Sequence, residues 1–194
     1  MHVTDLHHRS VEYFVDLVEA VDDGRWDGPT PCPDWDVRGL VNHVVYEDLW
    51  TGPLMEGATI AEVGDRFDGD MLGADPAVAA RAAGDTATIA TASGVVAGTT
   101  VHLSFGETPA EEYAWQLAAD HVIHGWDLAA AAGLDRTIAP EVVEALAGWY
   151  AGREEAYRSA GAVGDRPAGA RTDSPQDRLL VAFGRDPYWS PPSR

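Results

Sequence analysis

Between Thr4 and Val21 the apolar residues Leu6, Val11, Phe14, Val15, Leu17, Val18 and Val21 recur at three- and four-residue steps. That spacing predicts a first helix, with Thr4 placed to cap its opening turn. Asp23-Gly24 and the run Gly28-Pro29-Thr30-Pro31-Cys32-Pro33 then break the pattern, because closely spaced prolines cannot continue a helix. The stripe Val37, Leu40, Val41, Val44, Val45 and Leu49 predicts a second helix, capped by Asp34 or Asp36, carrying His43 and ending at Gly52-Pro53. Residues 56–74 are rich in Gly and Asp and read as irregular. Asp75-Pro76, a cap followed by a first-turn proline, opens a third helix. Through Ser93 it is built of Ala and Thr with Ile89 as its one large aliphatic residue, which suits close packing against a neighbour. Gly94 or Gly98 should stop it.

Thr99 to Phe105 begins with β-branched residues and predicts a short extended segment, for which no pairing partner is evident. Thr108-Pro109-Ala110-Glu111 has the form of a capping box and predicts the start of a fourth helix. That helix should run to Ala132, interrupted only by Gly125, and end at Gly133. Pro140 opens a fifth helix through Val142, Val143, Leu146, Trp149, Tyr150 and Tyr157 to about Gly161. Residues 161–173 read as a surface loop, Ser174-Pro175 as the start of a short helix, and the Pro-rich tail from Gly184 as irregular. With no internal repeat and no linker, the expectation is one all-α domain over residues 1–194: four or five long helices around one core, additional short helices and one short extended segment.

Composition narrows the function. Thirteen Lys and Arg against 32 Asp and Glu give a net charge of −19. Such a surface repels phosphate backbones and argues against a nucleic-acid partner. It attracts divalent cations and disfavours anionic substrates at long range. One cysteine forms no internal disulfide, and the N-terminal stretch lacks the apolar core of a signal peptide, so a cytoplasmic location is expected. The longest uncharged run, Thr86 to Gly106, has ten Thr, Ser or Gly among its 21 residues, too many for a membrane helix. Neither a phosphate-cradling Gly-rich motif nor a G-x-S-x-G elbow is present.

The seven histidines are the remaining chemistry. Asp120 and His124 stand four apart and share a helix face, so both can aim a donor atom at one ion. His43, flanked by Val41, Val44 and Val45, is the natural third ligand from another helix. Three protein ligands leave positions open, as in a catalytic site. The same spacing also describes a solvated Asp/His pair, and His43 also reads as a hydrogen-bonded core residue. Glu47, four residues after His43, reads as a fourth ligand, an outer acceptor or an exposed carboxylate. His121 lies one residue off the ligand face and reads as a core or surface residue, while His7 and His8 read as surface residues. Cys32 is either a nucleophile or a small packed residue, the latter preferred. Trp35, Trp126 and Trp149 are expected in the core, and Trp50 and Trp115 around a pocket.

The segments Thr30-Pro31-Cys32-Pro33-Asp34-Trp35-Asp36-Val37-Arg38-Gly39-Leu40-Val41-Asn42-His43, Asp120-His121-Val122-Ile123-His124-Gly125-Trp126-Asp127-Leu128-Ala129 and Gly184-Arg185-Asp186-Pro187 together resemble an actinobacterial metal-binding family. That family is related to the N-terminal domain of mycothiol-dependent maleylpyruvate isomerase, within the DinB-like four-helix-bundle superfamily. The resemblance runs over nearly the whole chain. It implies a bundle holding a divalent metal, zinc first with nickel, iron or manganese as alternatives, on His43, Asp120 and His124. It also implies mycothiol as a co-substrate.

Two departures limit the transfer. The isomerase has Glu where this chain has Asp120, so the shorter side chain must reach the metal from a shifted helix or through a water. The isomerase also has a second domain, for which this chain leaves no room, so maleylpyruvate isomerisation itself is not carried over. The expected function is a metal- and thiol-dependent transferase or isomerase acting on an electrophilic small molecule. The alternatives are a metal-dependent hydrolase and a non-catalytic metal- or ligand-binding bundle. A homodimer is the expected assembly.

Overall fold

The computed structural model describes residues 1–192. Its frame is four long helices, α1 (Val3–Glu19), α2 (Val37–Met55), α4 (Pro76–Ala97) and α5 (Ala110–Ala132). Around the bundle α1 packs on α5 and α4, and α2 packs on the same two, so that each helix has two flanking partners. This is the all-α, DinB-like architecture expected from the resemblance. No helix among the described residues is long and apolar enough to cross a membrane.

The starts and stops follow local chemistry, with some shifts from expectation. At α1 the cap is His2, whose ring accepts from the Thr4 N–H, so Thr4 lies inside the helix. Asp36 caps α2 through the Gly39 N–H at 2.7 Å. This helix passes through Gly52-Pro53 to Met55, because a proline so near the end removes only one hydrogen bond of the last turn. The segment after it is irregular apart from one turn, α3 (Ile60–Val63), closed by a Thr59/Glu62 capping box. Asp75 caps α4, which Gly98 ends in the left-handed region at φ 65°. The small residues of α4 do permit close approach. A Cβ at Gly84 would lie 2.6 Å from Val11 and one at Gly94 would lie 2.6 Å from Met55.

The extended segment has a partner after all. β1 (Thr100–Leu103) pairs antiparallel with β2 (Gly106–Pro109), Val101 opposite Thr108. Pairing holds Thr108 extended, so the expected capping box does not form. Pro109 stands at the α5 N-cap position without a side-chain cap. The fifth helix is also divided: α6 (Pro140–Tyr150) stops where Gly152 turns at φ 80°, and α7 (Glu154–Ser159) follows. α8 (Pro175–Ala182) begins with a Ser174/Asp177 capping box and packs against α6.

α6 and α8 cover the outer side of α5. Val142, Leu146, Trp149, Leu180 and Phe183 join Val122, Ile123 and Trp126 in one apolar cluster. The second half of α5 is therefore buried on every side, and its polar residues must find partners inside the protein.

Candidate metal centre

α2 and α5 lie side by side, and this brings His43 to Asp120 and His124. His43 Nε2 is 3.5 Å from Asp120 Oδ2, and His124 Nε2 is 3.4 Å from Asp120 Oδ1. The two imidazoles meet edge to face at 5.1 Å. Asp120 thus reaches both rings despite its short side chain. Donors on a tetrahedral zinc ion stand about 3.3 Å apart, since each bond is about 2.0–2.1 Å. The observed separations match one such edge each.

The polar surroundings of His124 fix its tautomer. Its Nδ1 donates to Asp127 Oδ2 at 3.1 Å, because a carboxylate only accepts. A neutral His124 then presents its Nε2 lone pair to Asp120, so two acceptors face each other and a positive charge is needed between them. Asp120 Oδ2 is buried and lacks a hydrogen-bond partner. Both features, and the borderline-soft set of two imidazoles and a carboxylate, fit a divalent ion such as zinc. Without a metal, protons answer the same demand. Burial opposes a charged His124, yet Asp120 and Asp127 raise its pKa well above the imidazole range. Burial likewise pushes Asp120 up, but His124 and His43 outweigh it and hold the carboxyl well below its usual range.

Behind His124 a buried network anchors two distant segments. Arg185 donates to Asp127 Oδ2 at 2.8 Å through Nη2 and to Oδ1 at 3.1 Å through Nε. Arg185 Nη2 also donates to Cys32 Sγ at 3.0 Å, and the Cys32 thiol lies 3.2 Å from Asp127 Oδ2. The Pro-rich loop is shaped by Thr30, whose hydroxyl accepts from the Cys32 N–H at 3.1 Å and lies 2.9 Å from the Trp35 carbonyl. That loop lays Trp35 on the His43 ring at 4.5 Å. Trp35 is therefore a wall of the site rather than a core residue. Cys32 packs in the loop, the preferred reading, and its thiol joins the Asp127–Arg185 pair. Asp127 and Arg185 had no assigned role at the level of sequence, although Asp127 stands three residues after His124 on the same helix.

A cavity of about 220 Å³ opens on Asp120 and His124. Phe105, Trp149, Tyr157 and Phe183 give it aromatic walls, and Gln116 and Arg185 supply polar groups. Trp149 thus lines the pocket, whereas Trp50 is buried beneath the hairpin with Val101 and Tyr113, and Trp115 stacks on Trp149.

Glu47 is partly buried rather than exposed, and its charge couples to the cluster. Burial first, then the Asp120 and Asp48 carboxylates, push its carboxyl up to about 7 against the lowering effect of His43 and His121. Unfolded, this group ionises near its usual 4.5. The folded state therefore holds more protons between those two values, and the metal-free protein loses stability as pH rises through that window. Glu47→Gln is expected to flatten the decline and to stabilise the metal-free protein at pH 8 by about 1–2 kcal/mol, after allowance for partial exposure. Urea denaturation at pH 5 and pH 8 checks this, and equal pH slopes in variant and wild type would refute it.

His7 is not where the pattern put it, whereas His121 is buried in the core, one of the two places its position off the ligand face allowed. His7 is 0% exposed, buried with Asp48 and His121 in a second group of donors, while His8 is exposed. His121 Nδ1 donates to the Leu117 carbonyl at 2.8 Å, and its Nε2 is 3.1 Å from Asp48 Oδ1. Burial and the neighbouring His121 lower the His7 pKa to about 3, so this imidazole is neutral.

A family model described as "mycothiol maleylpyruvate isomerase N-terminal domain" matches residues 7–129. Two uncharacterized proteins of Mycobacterium tuberculosis, from strains CDC 1551 / Oshkosh and H37Rv, are each 33% identical over 181 residues, covering 92% of this chain and 95% of their own length. No solved structure matches the chain.

Proposed function

Since the chain belongs to the mycothiol maleylpyruvate isomerase N-terminal domain family, we propose that it is a divalent-metal-dependent enzyme in which a low-molecular-weight thiol such as mycothiol attacks an electrophilic small molecule. His43, Asp120 and His124 would hold the metal, zinc first, with nickel, iron or manganese as alternatives. The observation that carries this reading is the aromatic cavity opening on two of those three residues. When bound, the ion supplies a Lewis acid that lowers the pKa of a coordinating thiol and keeps it ionised at neutral pH.

The side chains divide the remaining work. Asp127 holds the His124 ring by its Nδ1, which leaves Nε2 free to ligate and raises its basicity. Glu47, a partly buried carboxyl coupled to Asp120 and His43, is suited to take up the thiol proton. Phe105, Trp149, Tyr157 and Phe183 exclude water and offer flat faces to a planar, weakly polar electrophile. The cavity is smaller than the roughly 300–1,000 Å³ of sites for drug-sized ligands, so it suits the electrophile and the reactive end of the thiol only. Addition to an activated double bond, rotation and elimination would isomerise the substrate. Displacement of a leaving group would be S-transfer.

Zinc-loaded protein is expected to accelerate consumption of the thiol by chlorodinitrobenzene or monobromobimane, and a chelator to abolish the acceleration. A metal-loaded protein inert across a broad electrophile panel would overturn the proposal.

A second reading is favoured by Glu47. A partly buried carboxyl coupled to two of the proposed ligands also suits a general base for hydrolysis. Turnover of ester or amide substrates without thiol, lost in Glu47→Gln, would select it.

A further inference from the structure

Deeper in the bundle, α1 contributes His7, α2 contributes Asp48 and α5 contributes His121, and one donor atom from each lies within 4.8 Å of the others. All three residues are buried. We propose that these residues form a second divalent-metal site, buried and structural, that ties α1, α2 and α5 together. It stands independently of the function proposed for the outer cluster.

The hydrogen bonds of His121 point to an ion. Its Nδ1–H is committed to the Leu117 carbonyl, the backing that metal-bound imidazoles commonly have. That leaves the Nε2 lone pair directed at Asp48, 3.1 Å from Oδ1 and 3.3 Å from Oδ2. Lone pair and carboxylate are both acceptors, so a cation must stand between them. Those distances are again close to the roughly 3.3 Å edge between donors on tetrahedral zinc.

A proton on His121 would satisfy that pair, but it leaves the third member unexplained. Both ring nitrogens of His7 are buried without a hydrogen-bond partner, and Asp48 Oδ1 likewise has none in bonding geometry. Each such orphan destabilises the fold unless something satisfies it. The neighbouring Ser10 hydroxyl does not help, since it donates to the His7 carbonyl rather than to the ring. The His7 ring stands edge-on to His121 at 5.6 Å. A metal ion accepts one His7 nitrogen, the His121 Nε2 and an Asp48 oxygen at once. Two imidazoles and one carboxylate select a borderline ion, zinc or cobalt, over calcium or magnesium.

The test is metal stoichiometry in the full chain, refolded with excess cobalt(II) and desalted. Wild type is expected to hold about two ions per chain and the His43→Ala/His124→Ala variant about one, with the visible spectrum of tetrahedral cobalt in both. His7→Leu, which refills the ring volume with an apolar side chain, is expected to lower wild type from two ions to one and the double variant from one to none. A folded double variant that retains no cobalt would overturn the proposal. So would a His7→Leu protein with unchanged stoichiometry, which decides the matter even where the double variant fails to fold.

Discussion

His124→Ala is expected to remove the metal of the outer cluster and to lower thiol-dependent turnover by at least about 100-fold, beyond what loss of a residue merely supporting a ligand costs. The imidazole is held at both nitrogens, by Asp127 on one side and facing Asp120 on the other. His43→Ala should behave alike, although its ring is held by Trp35 stacking rather than by a carboxylate. The measurement is metal content of protein purified without chelator or affinity tag, beside the wild type. Retention of the wild-type content and rate in both variants would remove these residues from the site. Any ion held by His7, Asp48 and His121 remains as a constant background in the comparison.

The second large effect falls on stability. Asp127 is fully buried and Arg185 nearly so, with side-chain exposures of 0% and 14%. Arg185→Leu leaves the Asp127 carboxylate without its guanidinium partner, and breaking such a buried pair costs about 3–5 kcal/mol. It also frees the loop that carries Cys32 and Trp35, because Arg185 bonds to both Asp127 and Cys32. Metal affinity at the outer cluster should fall about 10–100-fold with it. Asp127→Asn/Arg185→Leu, which removes both charges, is expected to recover most of the lost stability. Chemical denaturation of the single and double variants gives the coupling. A cost below about 1 kcal/mol for Arg185→Leu would mean that water, not Asp127, neutralises this arginine.

Helix ends were legible where a cap or a breaker stands at them: Asp36 opens α2, Asp75 and Gly98 bound α4, Gly133 ends α5 and Ser174 opens the short α8. Asp120 and His124 were legible because four-residue spacing is a property of the helix alone, and His43 because its neighbours are apolar. The hairpin was missed because Thr108-Pro109-Ala110-Glu111 satisfies a capping pattern and a strand end equally well, and only the pairing of Val101 with Thr108 decides between them. His7 was misplaced for a different reason. A lone polar residue beside Leu6 looks like the edge of an apolar stripe, and its burial depends on Asp48 and His121 from other helices. Asp127 and Arg185 had to be found in space, since 58 residues separate them.

The two donor groups share α2 and α5, and the inner one adds His7 from α1. Asp120 and His121 are neighbours on α5, and Asp48 sits five residues beyond His43 on α2. Each residue of a helix advances about 1.5 Å and turns by about 100°. The phase of α5 against α2 therefore serves both groups at once, and neither can be adjusted by sliding or rotating the helix without misaligning the other. The length of this stretch is fixed: a single inserted residue between Leu117 and Asp120 would rotate every donor of α5 away from its partners.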